Sequence, residues 1–159
     1  MKRRMKRLVP PLAAATFLLA CLPGCARAPE APQVVVEKAI VTVPAVPGGP
    51  GAAYFTVRTN NDPTRLVSVT SPMIRSIELH ETREQSGRTQ MVKLDPRETS
   101  FDPASPLVFA PGGKHAMLMG VDPTLRPGGK VMLTFNMEPA PPVTVEAEVK
   151  GPGQVHAEH

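Results

Sequence analysis

The sequence predicts an all-β domain, a sandwich or barrel of short strands. Three observations predict it. Proline is abundant at 20 residues and Gly adds 12 more, a density of helix breakers that no helical bundle tolerates. Short runs rich in β-branched residues recur between turn-forming clusters. No long stretch shows the 3.6-residue apolar period of a helix. At 159 residues the chain has room for one domain. Apolar residues reach 42% while aromatics are only 4% and Trp is absent, so the expected core rests on Val, Leu, Ile, Met and Ala.

The first twenty residues stand apart. Lys2, Arg3, Arg4, Lys6 and Arg7 form a positive start, and Leu8 to Ala20 is mostly apolar. That run falls short of the roughly 20 apolar residues a permanent membrane helix needs, and it fits the leader of an exported protein. Cys21 and Cys25, the only cysteines, follow at once, each after a small residue (Ala20, Gly24). Residues 1–24 are therefore expected to be a lipoprotein-type signal peptide, cleaved before Cys21 or Cys25, with one of the two carrying lipid. An ordinary cleaved leader is the plainer alternative. The formal charge of +4 misleads. Without the five leader cations, thirteen basic residues face fourteen acidic ones, a net of −1. A nucleic-acid partner does not follow from the pI. The folded part of the chain holds no cysteine, which excludes a disulfide framework and a thiolate metal site there.

The remaining elements follow in order. Residues 25–33 read as a Pro/Ala tether, and residues 34–150 as the folded domain. Strands are expected over Val34–Val43, Ala53–Thr59, Leu66–Val69 and Ile74–His80. In the last of these Ile74, Ser76, Glu78 and His80 share one face, while Arg75, Ile77 and Leu79 share the other. Gln85-Ser86-Gly87-Arg88 is a turn, and Thr89–Leu94 the return strand of a hairpin. Asp95–Pro106 is expected to be a polar loop. Leu107–Ala110, Lys114–Met119, Lys130–Met137 and Val143–Val149 complete the set. Residues 151–159 read as a polar, solvated tail.

Chemistry concentrates in a few side chains. His115-Ala116-Met117 puts an imidazole and a thioether on the same side of one strand. His80 ends a predicted strand, and Met91, with ten residues between them, lies on the predicted return strand. Thioether sulfur is soft and uncharged, imidazole intermediate, and such a set favours Cu(I) over hard cations. Zinc usually takes Cys, His or carboxylate. Each residue alone reads better as a core filler or a surface imidazole than as a ligand; it is the set together that points to a metal. Met119 shares the face of His115 and Met117 and is expected to pack in the core or shield the site. Met73, Met132 and Met137 read as core. His156 and His159 in the tail could hold Cu(II) weakly, or simply be solvated. No Ser/His/Asp arrangement or paired carboxylate accompanies these residues, so no enzyme is expected.

The chain resembles the periplasmic copper chaperone family called PCu(A)C, over roughly residues 34–150. The segments that carry the resemblance are Gly51-Ala52-Ala53-Tyr54-Phe55, Glu78-Leu79-His80-Glu81, Met91, and above all Pro111 to Gly120, which contains His115-Ala116-Met117. The family pattern is a His, ten residues, a Met, about 21 residues, then His-X-Met. Here the second gap is 23 residues, and the excess falls around the loop Asp95–Pro106, where loops tolerate insertion. Glu81 stands where some members have a Met. The resemblance implies a cupredoxin-like Greek-key β-sandwich or barrel that binds Cu(I) through His80, Met91, His115 and Met117. It implies delivery to a copper-accepting protein, such as the Cu(A) site of cytochrome c oxidase or its assembly factor, in the periplasm or cell envelope. An envelope copper-buffering lipoprotein without a dedicated oxidase partner is the alternative.

Overall fold

The computed structural model describes residues 34–155. The expected leader, Cys21, Cys25 and the tether, and His156 and His159 in the tail, lie outside the described residues. Ten strands form one continuous, folded-over sheet: β1 (Val34–Thr42), β2 (Gly51–Thr59), β3 (Thr64–Thr70), β4 (Ile74–Gln85), β5 (Arg88–Lys93), β6 (Ser100–Phe101), β7 (Leu107–Phe109), β8 (Lys114–Val121), β9 (Lys130–Glu138) and β10 (Val143–Lys150). The spatial order is β5-β4-β8-β2-β1-β10-β9-β3-β6, with β7 paired to β2. Neighbours are antiparallel except β1 and β10. β1 is the corner of the sheet. It pairs with β2 along its length and with β10 only at Ile40–Thr42, and a register shift between Glu37 and Ile40 separates these stretches. Such bulges bend a strand and let it serve two layers.

Phe55 on β2 meets Phe135 on β9 edge-on at 4.8 Å and stacks on Phe109 at 4.4 Å. Strands β2 and β9 are three places apart in the sheet order, so these contacts cross the sandwich. Phe55, Phe101, Phe109 and Phe135 are all buried, among Val41, Val57, Leu66, Leu118 and Leu133. The core does rest mainly on Val, Leu, Ile, Met and Ala, as composition leads one to expect, but Phe completes it. Aromatics are few, but every Phe of the described domain is spent at its centre, where each buries a large apolar area. Of the methionines read as core, Met137 is buried and Met73 packs against the core, but Met132 is 43% exposed. It alternates with Val131 and Leu133, which take the inward positions of β9.

Two local corrections matter for the site. Strand β4 continues past His80 to Gln85, and Ser86 and Gly87, both at positive φ, close a two-residue hairpin of the type whose twist suits antiparallel strands. The expected loop Asp95–Pro106 is ordered. Asp95-Pro96-Arg97-Glu98 forms a capping box on a short 3₁₀ helix, Pro96–Thr99: Asp95 accepts from the Arg97 N–H at 2.9 Å, and Glu98 accepts from the Asp95 N–H at 2.7 Å. Phe101, two residues on, is a core residue.

Candidate functional site

The pairing of β4 with β8 sets Leu79 against Ala116 and Ile77 against Leu118 on one face, and His80 against His115, Glu78 against Met117 and Ser76 against Met119 on the other. The first set faces the core; Ala116 and Leu118 are fully buried. Ile74, paired with Val121, keeps the expected alternation with Ser76, Glu78 and His80 but is buried at the start of the strand. Directly opposed residues of an antiparallel pair point to the same side, so both imidazoles project from the outer face as cross-strand neighbours. Their ring centroids lie 6.2 Å apart.

Strand β5 adds Met91. It pairs with Thr82, while Lys93 pairs with His80, which puts Met91 on the imidazole face, diagonal to His80. The sequence-predicted residues His80, Met91, His115 and Met117 therefore occupy one face of the three-stranded patch β5-β4-β8. Met91, His115 and Met117 line a concavity of about 360 Å³. Thr82, Ala52, Tyr54, Gly112 and, from the start of the tail, Pro152 also wall it. No Asp, Glu, Lys or Arg lines it. Met119 is half-buried beside Met117, outside the core cluster, which corrects the expectation of core packing. Residues 151–155 are also less free than a solvated tail, since the Gln154 side chain accepts from the Gly151 N–H at 2.6 Å.

Each imidazole has one nitrogen engaged. His115 Nδ1 donates to the Gly113 carbonyl at 3.0 Å, and the same carbonyl accepts from the Thr82 N–H at 3.1 Å. The turn before β8 thus ties β4 and aims the ring. His80 Nε2 lies 3.1 Å from Glu78 Oε2, and the other Glu78 oxygen is 3.7 Å from Lys93 Nζ. The hydrogen bond from His80, then the Lys93 charge, hold the Glu78 carboxyl below its ordinary range. His80 Nδ1 is buried with no hydrogen-bond partner. An orphaned buried ring nitrogen is costly unless something takes its lone pair. Met91, by contrast, is 63% exposed, a thioether at the solvent edge of the patch. Among the described residues no three His, Cys, Asp or Glu side chains converge as a metal site; a soft cation here would have to use sulfur.

Three features escaped the sequence reading as parts of the site. Glu78 carried a signal, because strand alternation already put it on the face of His80. The Gly113 carbonyl and the β2 wall carried none, since both depend on pairings between distant segments.

The folded-over β-sheet has the architecture of a PCu(A)C domain, and the fold is cupredoxin-like. The structure named "Copper-bound PCuAC domain from PmoF2" is similar with a TM-score of 0.59 and 26% identity, covering 76% of this chain and 94% of that one. The solution structure of CuI-DR1885 from Deinococcus radiodurans is similar with a TM-score of 0.52 and 30% identity, covering 72% and 78%. In sequence, "Putative lipoprotein Lxx21020" of Leifsonia xyli subsp. xyli (strain CTCB07) is 35% identical over 134 residues, 81% of this chain and 78% of its own length. The family described as "Putative lipoprotein LpqE-like" matches residues 34–149, and the chain belongs to this LpqE-like family of PCu(A)C type.

Proposed function

We propose that this chain is a copper chaperone of the cell envelope, lipid-anchored through Cys21 or Cys25, that holds Cu(I) with His80, Met91, His115 and Met117 and hands it to a partner. The observation that carries this reading is the register that sets His80 opposite His115 while Met117 and Met91 share their face. The copper-bound relatives and the lipoprotein relative support it. The donor set is neutral once each imidazole keeps one N–H. Two nitrogens and two thioethers suit a soft monovalent ion, and the donor set contains no thiol to oxidise outside the cytoplasm.

Release follows from the same chemistry. A thioether leaves copper without taking up a proton, so an incoming ligand can displace it at constant pH. Met91, the most exposed of the four and on the edge strand, is the first to be exchanged. The concavity beside it has no Asp, Glu, Lys or Arg in its lining and admits the partner's donor without burying one of those charges. The recipient in this reading is the Cu(A) site of cytochrome c oxidase or its assembly factor, and nothing in the site calls for turnover chemistry.

Competition with a chromophoric Cu(I) chelator tests the binding. The chain should take up about one Cu(I), as one four-donor set requires, and a Met91→Leu, Met117→Leu variant of unchanged affinity would refute the site. A deletion strain should lose oxidase assembly at low copper. Normal oxidase with altered copper tolerance would instead identify a buffer.

A further inference from the structure

We infer that Glu78 is a positioning residue, which locks His80 in the tautomer that presents Nδ1, and not Nε2, to the metal. This rests on the copper reading above and adds to it the atom that binds and the side chain that selects it. The argument starts from what a carboxylate can do. Ionised, it only accepts hydrogen bonds, so the His80 nitrogen 3.1 Å from Glu78 Oε2 must be the one that carries hydrogen. In a neutral imidazole that leaves the lone pair on Nδ1, the atom that is buried without a partner. His115 is arranged in the opposite sense. Its Nδ1 donates to the Gly113 carbonyl, so its lone pair is on Nε2. The two opposed rings are held in opposite tautomers, one by a side chain and one by the backbone, and each offers one nitrogen.

Glu78 is itself held. It stands two residues before His80 on the same face of β4, pairs with Met117 on β8, and has Lys93 of β5 at 3.7 Å from its second oxygen. The chain Lys93–Glu78–His80 is thus a carboxylate–histidine arrangement of the kind that fixes ring orientation and raises the donor strength of the ligating nitrogen.

The test uses the full chain with 15N-labelled histidine. Two-bond 1H–15N correlation spectra of the apo protein should show His80 protonated at Nε2 and His115 at Nδ1, and Cu(I) should shift His80 Nδ1 and His115 Nε2. Glu78→Ala should mix the His80 tautomers and weaken Cu(I) by about 10–100-fold, the range for loss of such a partner, with the apo melting temperature unmoved. Glu78→Gln, which keeps an acceptor oxygen, should restore the tautomer and recover part of the affinity. Wild-type affinity in Glu78→Ala, or Cu(I) on His80 Nε2 in the wild type, overturns the inference. If Met117→Leu weakens Cu(I) and Glu78→Ala does not, this inference alone falls. A wild type that binds no Cu(I) takes the functional reading down with it.

Discussion

The two faces of the β4–β8 ladder share one backbone and one register, yet they answer to different demands. Inward, Ile77, Leu79, Ala116 and Leu118 form a tight apolar contact in which Ala116 and Leu118 have no solvent exposure. Outward, Glu78, His80, His115 and Met117 keep lone pairs and sulfur available, and one buried nitrogen goes unpaired. The inner face is good at folding and useless for chemistry. The outer face holds a costly atom that the inner face makes affordable. A rigid ladder converts stability on one side into fixed ligand geometry on the other, which is how a site on strands reaches a precision that loops do not.

That division predicts where each substitution will register. The largest effect on stability should come from the inner face. Leu118→Ala should cost about 2–5 kcal/mol, the usual range for a fully buried Leu, read as a shift in urea midpoint. An outer-face change should do the reverse. Met91→Leu with Met117→Leu removes two of the four proposed donors, so Cu(I) affinity should fall by more than the ~100-fold upper range for a supporting residue. Unfolding should move by less than about 0.5 kcal/mol, as expected of a near-isosteric exchange away from the core. If the copper variants unfold easily, or Leu118→Ala loses copper while still folded, the two faces are not separable.

Smaller effects probe the edges of the ladder. Gly51 begins β2 beside the site, and a Cβ there would lie 2.6 Å from the Thr42 carbonyl oxygen. Gly51→Ala should push β1 from β2 and cost about 1–3 kcal/mol, the range for overpacking, with a weaker copper site because both strands wall the concavity. The smallest effect lies at the far side of β4. Glu98 is held below its ordinary pKa first by the Asp95 N–H and then by Arg83. A lowered folded-state pKa contributes stability above the ordinary Glu value of about 4.3, and loses it as pH falls through the depressed value. The wild type should therefore melt slightly higher than Glu98→Gln at pH 7, and the gap should close on acidification below pH ~4. Copper affinity at pH 7 should not change.

Much of the fold was legible because strands and turns are local. β-Branched runs placed nine strands, and Ser86-Gly87 placed the hairpin. What failed to show was of two kinds. Asp95-Pro96-Arg97-Glu98 carried a capping-box signal that a polar, Pro-containing context hid. Phe101 carried no signal at all, whereas strand alternation already put Met119 with His115 and Met117, and Met132 with Lys130 and Thr134. Period-2 alternation says which residues share a face, but the side on which the second layer lies is decided by contacts between distant segments. So Met132 faces solvent, Met119 stays with the site, and four Phe converge from β2, β6, β7 and β9.

The sequence by itself determined the strand inventory, the absence of thiols in the domain, and a short list of soft donors at a recognisable spacing. It also put Glu78 and His80 on one face, since alternation along a single strand is a local matter. The tertiary structure decided that His80 stands opposite His115, that Met91 joins them across a hairpin, and that one ring nitrogen of each imidazole is already taken. Those are facts of register between segments tens of residues apart. Register is set by which side chains the whole sandwich can bury together, and no window of sequence contains that information.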